Sequence, residues 1–239
     1  MKKLAIVIPA YKESENLIPL CKAITATYPA SEILIVDDSP DEKSVKLIEE
    51  FGDKTVSIIH RREKGGRGSA VIAGISVLLK REFDFYLEMD ADFSHQPSEI
   101  PVLITKAQSC TLDLLIGSRY LNGSEILHWP LNRRIFSKFA NKVARYLLKV
   151  PVTDYTNGFR LYSPAAAKVV VNDCGRLGTG FIALSETLVN IYYRDLKVGE
   201  IETKFINRMR GESSLSFNEI WSAFRGLFKI YKLKRSLKK

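Results

Sequence analysis

The sequence predicts an α/β protein: a mostly parallel, Rossmann-like central sheet with helices on both faces. Two observations carry that expectation. Short apolar runs alternate with amphipathic stretches at the spacing of successive strand–helix units. The polar clusters of the first half each fall where an apolar run ends, which in such sheets is the edge that binds ligands.

Leu4 to Ile8, ended by Pro9, reads as a central parallel strand. Pro9 to Glu13 is then a loop, and Ser14 caps a helix reaching about Thr27, with Leu17, Cys21 and Ile24 on one face. Glu32 to Val36 is the second strand and runs into the polar turn Asp37-Asp38-Ser39-Pro40-Asp41, which opens a helix through Glu50. Val56 to Ile59 is the third strand. Lys64-Gly65-Gly66-Arg67-Gly68-Ser69-Ala70 follows it and leads into a helix to about Leu79. Phe83 to Leu87 is the fourth strand and Leu112 to Ile116 the fifth. Beyond Gly117 the alternation stops. A loop to Ser124 precedes a long helix from Leu131 to Val150, the polar segment Asp154 to Arg160, a helix Gly180 to Tyr192 containing Glu186, and a strand near Val198 to Ile206. A cationic loop, Arg208 to Glu212, leads to a helical stretch from Phe217 to Tyr231.

With 239 residues, the chain suits one α/β domain with an appendage, or at most two small domains, and a single domain is expected. Its expected parts are a first half over 1–118, a second over 119–215 and an amphipathic basic helix over 216–239. A net charge of +9 favours anionic partners. Cys21, Cys110 and Cys174 are odd in number and lack metal-ligand spacing, as in reduced cytosolic proteins. Only five apolar or small residues lie between Lys3 and Pro9, too few for a signal peptide. No uninterrupted apolar run approaches the ~20 residues of a membrane-spanning helix. A soluble or peripheral protein is expected.

The chemistry concentrates where the fourth strand ends, in Glu88-Met89-Asp90-Ala91-Asp92. In extended backbone, residues i and i+2 point to the same side, so Asp90 and Asp92 can converge on a hard cation such as Mg²⁺ or Mn²⁺ that also holds a diphosphate. A solvated Asp-rich turn is the plainer alternative. Together with Pro9 to Glu13, Asp37-Asp38 and the glycine-rich turn, the pair outlines a nucleotide site. It is not the dinucleotide kind, because the first strand lacks Gly-x-Gly-x-x-Gly, and Gly66-Arg67-Gly68 reads as a tight turn.

The 131–150 helix carries a cationic stripe (Arg134, Lys138, Lys142, Arg145, Lys149) and an apolar one (Ile135, Phe139, Val143, Tyr146 or Leu147, Val150). It is either a surface helix packed on the sheet or one lying among lipid headgroups. Phe217, Ile220, Trp221, Phe224, Leu227, Phe228 and Tyr231 fall at helical spacing before a basic tail, which suits an anchor on an anionic membrane. Nucleic acid is not expected as a partner, since these aromatics form an apolar helical stripe rather than a stacking sheet.

Eight segments, in order, resemble the dolichol-phosphate mannose synthase branch of the family-2 glycosyltransferases, which have the GT-A fold. They are Val7 to Asn16, Val36 to Asp41, Lys64 to Ala70, Met89 to His95, Gly117 to Tyr120, Trp129 to Arg134, Asp154 to Arg160 and Arg208 to Ser214. The resemblance implies inverting transfer of a sugar, mannose from GDP-mannose first among donors, from a nucleotide sugar to a polyprenyl phosphate at the cytoplasmic face of a membrane. It implies that Pro9, Tyr11, Glu13, Val36 and Asp38 hold the nucleoside. Asp90 and Asp92 would bind Mg²⁺ or Mn²⁺ at the diphosphate, with the Ala91 backbone alongside. Arg119 and Arg133 would receive the acceptor phosphate, and Arg208 would close over the donor. Ser214 stands where relatives often carry a lysine, which leaves Arg210 as a substitute. A phosphate monoester has a second pKa near ~6 and attacks without a general base. A saccharide hydroxyl would need one, and Asp154 is then the candidate. Otherwise Asp154 is structural or orients an arginine. His95 is a ligand or, more in keeping with its place, a turn residue; Glu186 binds sugar hydroxyls or pairs with an arginine.

Overall fold

The computed structural model describes residues 1–63, 65–178, 181–207 and 217–237. Its strands are β1 (Leu4–Ala10), β2 (Ser31–Asp37), β3 (Val56–His60), β4 (Phe85–Glu88), β5 (Leu114–Ser118), β6 (Glu125–Leu127), β7 (Arg160–Tyr162), β8 (Val198–Glu202) and β9 (Lys204–Ile206). Its helices are α1 (Ser14–Thr27), α2 (Lys43–Phe51), α3 (Arg67–Leu78), α4 (Ile100–Ser109), α5 (Leu131–Leu148), α6 (Pro164–Asp173), α7 (Phe181–Tyr192) and α8 (Phe217–Leu237). The main sheet has the order β3-β2-β1-β4-β7-β5-β8, and β6 and β9 form a separate two-stranded ribbon.

Alternation along β1 explains the layering. Ala5 and Val7 enter one core with α3, α5, α6, α7 and α8. Leu4, Ile6 and Ile8 enter the other with α1, α2 and α4. A strand buried on both faces must be apolar throughout, as β1 is. The strand order reverses at β1, which sits between β2 and β4, so a crevice opens beyond their carboxyl ends.

Several expectations shift. The helix begins at Ser14 rather than being capped by it. Glu13 occupies the cap position without a side-chain cap bond, and its carboxylate instead takes the Asn16 side-chain amide at 2.6 Å. The long helix stops at Leu148, because Lys149 turns left-handed at φ 60°. The strand expected over 198–206 is two. It breaks at Thr203, whose hydroxyl donates to Glu99 at 2.5 Å, and β9 leaves the sheet to pair with β6. The sequence did not reveal β7. Three residues long, it runs antiparallel between β4 and β5, so chain from beyond residue 119 is woven into the first half of the sheet.

Candidate active site

At the crevice, β1 and β2 run in register, Pro9 opposite Val36 and Ala10 opposite Asp37. The Val36 side chain is wholly buried on the α3 side, so what it offers a ligand is backbone. Tyr11 is exposed, and the next residue, Lys12, is left-handed with its amide on the Ser39 hydroxyl at 2.8 Å. Asp38 is heavily engaged. It takes Arg61 through Nε and Nη2, both at 2.6 Å, and the Gly65 and Gly66 amides at 3.0 and 3.1 Å. In this structure the carboxylate expected at the nucleoside holds the glycine turn in place.

β4 ends at Glu88, and Glu88 and Asp90, two residues on, share a common partner. That partner is Arg67, in the first turn of α3. Its Nη1 lies 3.3 Å from Glu88 and its Nε 2.8 Å from Asp90, while Nη2 donates to the Gly158 carbonyl at 3.2 Å. A Cβ on residue 158 would fall 1.8 Å from Nη2, which explains the glycine there. Asp92 belongs to a turn in which Phe93 has φ 58°, and its Oδ1 accepts the Ser94 amide at 3.0 Å. Burial pushes the Asp90 pKa up, but the Arg67 charge outweighs it and Arg119 adds to the effect, so Asp90 titrates at about 2.

Asp90, held ionised by Arg67, and Asp92 two residues on offer hard oxygen donors of the kind that fit Mg²⁺ or Mn²⁺. Among the described residues no group of three or more His, Cys, Asp or Glu is placed to hold a metal.

His95 is fully buried, stacked on Phe159 with ring centroids 5.0 Å apart. Its Nδ1 accepts the Asp90 amide at 3.1 Å, which assigns the proton to Nε2, 3.0 Å from Asn157 Oδ1. It therefore fixes the backbone of the carboxylate turn. The Asn157 amide group also bonds the Gly117 carbonyl, tying that turn to the end of β5.

Arg119 follows β5. Its Nε and Nη2 meet the two Asp154 oxygens at 2.8 Å each, and its backbone amide adds a third bond at 3.0 Å. Asp154 also accepts the Thr156 and Asn157 amides, both at 3.1 Å. Burial raises the Asp154 pKa, yet Arg119 and these donors bring it below the usual carboxylate range. So ionised and so occupied, Asp154 is a weak proton acceptor and a strong clamp on Arg119. The Arg119 guanidinium lies 5.3 Å from the Trp129 ring, and Arg133 lies over the same ring at 4.3 Å. Arg119 and Asp90 each shift the other's pKa, so the strand-end carboxylate and the arginine share one electrostatic site.

Glu186 turns to the protein itself, accepting the Gly175 and Arg176 amides at 3.1 and 3.2 Å. Arg208, Arg210 and Ser214 lie outside the described residues. Arg67, Trp129 and Asn157 lie in segments that carried the family resemblance but were given no role of their own, and Arg61 lies outside all eight segments.

Residues 5–171 match the family described as "Glycosyl transferase family 2". The chain is 34% identical over 224 residues to undecaprenyl-phosphate mannosyltransferase of Micrococcus luteus, covering 90% of this chain and 88% of that one. It is 33% identical over 234 residues to polyprenol monophosphomannose synthase of Mycolicibacterium smegmatis, covering 96% and 86%. Glucosyl-3-phosphoglycerate synthase from Mycobacterium tuberculosis, crystallised with Mn²⁺, UDP and phosphoglyceric acid, superposes with a TM-score of 0.68 at 13% identity, over 98% of this chain and 78% of that one. Its complex with Mn²⁺, UDP-glucose and phosphoglyceric acid gives 0.69 at 13% identity, over 98% and 79%. At that identity the likeness concerns the fold. The sheet and its surrounding helices are the GT-A architecture of the glycosyltransferases. The chain belongs to glycosyl transferase family 2 and is a glycosyltransferase.

Proposed function

We propose that the enzyme moves mannose from GDP-mannose to a polyprenyl phosphate, with inversion at the anomeric carbon, from the cytoplasmic face of a membrane. The observation that carries this reading is the gathering of Arg119 and Arg133 on Trp129, within electrostatic reach of Asp90. The two relatives named above, for undecaprenyl phosphate and for polyprenol, support it. Asp154 is committed to Arg119, which suits an acceptor that is already an anion at neutral pH and needs placement rather than deprotonation. Guanidinium forks supply that placement. Asp90 and Asp92 would hold a divalent cation, which supplies Lewis-acid neutralisation of the leaving diphosphate. Arg67 keeps Asp90 ionised and oriented. Pro9, Tyr11, Glu13, Asp38 and the Val36 backbone would line the nucleoside site. Arg208, with Arg210 in place of the lysine absent at Ser214, would close over it. The chain works as one domain whose two halves bind donor and acceptor.

The test is a panel of GDP-mannose, UDP-glucose and UDP-N-acetylglucosamine with polyprenyl phosphate, scored for labelled sugar in the organic phase. Label passing only to water-soluble saccharides would overturn the acceptor assignment. Arg119→Lys keeps the charge but loses the fork. It is expected to raise the KM for polyprenyl phosphate by about 100-fold with the donor KM unchanged; an equal rise in both would move Arg119 to the donor side.

The long helix favours membrane contact. Its inner face is Asn141, Ala144 and Leu148. Of its apolar stripe, Ile135 is 61% exposed, Phe139 57% and Tyr146 72%, while Val143 and Leu147 are half-buried and Val150 is buried; Leu131, at the start of the helix, is 71% exposed. Arg134, Lys138, Lys142, Arg145 and Lys149 are exposed beside them, and α8 adds Phe228. No helix among the described residues is long and apolar enough to cross a membrane. A surface that mixes exposed apolar groups with cations suits one that lies in the headgroup region. The basic tail is corrected in one respect. Lys234 is buried, with its ammonium on the Leu147 carbonyl at 2.7 Å, so it locks α8 to α5 instead of meeting lipid. Ile135→Asp with Phe139→Asp is expected to remove most cosedimentation with anionic vesicles. Unchanged sedimentation would show that the stripe has another use.

A further inference from the structure

We infer that Trp129 is a third anchor for the acceptor phosphate, its indole N–H donating to the anion that Arg119 and Arg133 hold. The inference rests on the reading above that this pocket takes a phosphate monoester.

Three observations converge. The Trp129 Nε1 atom is shielded from solvent and has no hydrogen-bond partner among the described residues. A buried indole N–H normally has one, because leaving it unmade forfeits its hydration for nothing. The ring is also the shared platform for both guanidinium groups, with centroid distances of 5.3 Å to Arg119 and 4.3 Å to Arg133. Phe205 meets it edge-on at 5.4 Å, and the Phe205 ring in turn meets His95 at 5.6 Å. The indole is thus braced against the residue that fixes the carboxylate turn.

The donor arithmetic shows why a third group is useful. The Nε and Nη2 edges of Arg119 are spent on Asp154 and Thr156, which leaves Nη1 as its edge for an anion. Arg133 rises from the first turn of a helix whose neighbouring side chains are exposed, so it brings charge with little rigidity of its own. Stacking on an aromatic face restrains it and turns its N–H groups outward in the ring plane. An indole N–H is fixed by its ring. It adds a donor of set direction, and a tetrahedral phosphate has oxygens enough to meet all three groups. Trp129 therefore both binds the anion and positions the arginines, and its two functions separate by substitution.

The full-length enzyme is titrated with farnesyl phosphate by calorimetry, alongside Trp129→Phe and Trp129→Leu, and steady-state kinetics are taken for both substrates. Trp129→Phe keeps an aromatic platform and removes the donor. It is expected to raise the Kd for farnesyl phosphate and the KM for polyprenyl phosphate by about 10-fold, the loss of one charge-assisted bond, with the donor KM unchanged. Trp129→Leu removes the platform as well and is expected to cost more. Independently of how these variants fold, a Trp221→Phe enzyme leaves Trp129 as the sole tryptophan. Its emission should change with farnesyl phosphate and not with farnesol. Trp129→Phe binding as tightly as wild type, or an emission indifferent to the phosphate, overturns the assignment of Trp129 alone. Failure of the wild type to bind farnesyl phosphate overturns the acceptor reading with it.

Discussion

Replacing Asp92 by Asn is expected to lower transfer by about 1000-fold or more while leaving the thermal unfolding temperature within a degree or two of wild type. The asymmetry follows from where the side chain sits. Asp92 is half-buried in a turn, and the bond its Oδ1 accepts from the Ser94 amide can be accepted as well by an asparagine oxygen. The fold loses little. A cation at the diphosphate loses an anionic ligand that a neutral amide cannot replace. The same change at Asp90 would be less informative, because it leaves Arg67 facing Glu88 alone and mixes stability with chemistry. Chelation of divalent ions should reproduce the Asp92→Asn loss in the wild type and have no further effect on the variant. Full activity of that variant, with or without chelator, would remove the metal from the reaction.

Asp154→Asn is expected to destabilise the protein by about 3–5 kcal/mol, because the buried Arg119 charge would lose its counter-ion. For a chain of this length that corresponds to roughly 6–20 °C in Tm. The carboxylate's pKa is depressed in the folded state, so its contribution is fully present above its unfolded value of about 3.9 and is lost as pH falls through the lower folded value. The destabilisation of the variant should therefore shrink only in strong acid. Replacing both partners, Arg119→Met with Asp154→Leu, should restore much of the stability and none of the acceptor binding. A general base for a hydroxyl acceptor would show the same loss of Tm together with loss of kcat on soluble saccharides, so kinetics on both acceptor classes beside thermal unfolding separates the two.

The parts of this enzyme legible in its sequence are those set by neighbours in the chain. The apolar runs that became β1 to β5 announce themselves because strands packed against helices are largely apolar, most fully so in β1, which is covered on both faces. The carboxylates at the end of β4 and the glycine turn were likewise readable as polar groups at strand ends, whereas Arg119 and Arg133 took their roles from the family resemblance alone. What the folded molecule alone decided is which of these groups meet. Arg67 reaches Asp90 across 23 positions and Gly158 across 91, and Arg119 finds Asp154 across 35. The three residues of β7 are strand only because two longer strands hold them. The outward face of α5 followed the same logic: its periodicity showed two stripes, and burial of Asn141, Ala144 and Leu148 chose which side turned inward. Local pattern records what a segment can become, whereas pairing energy belongs to partners that only the closed chain brings within reach.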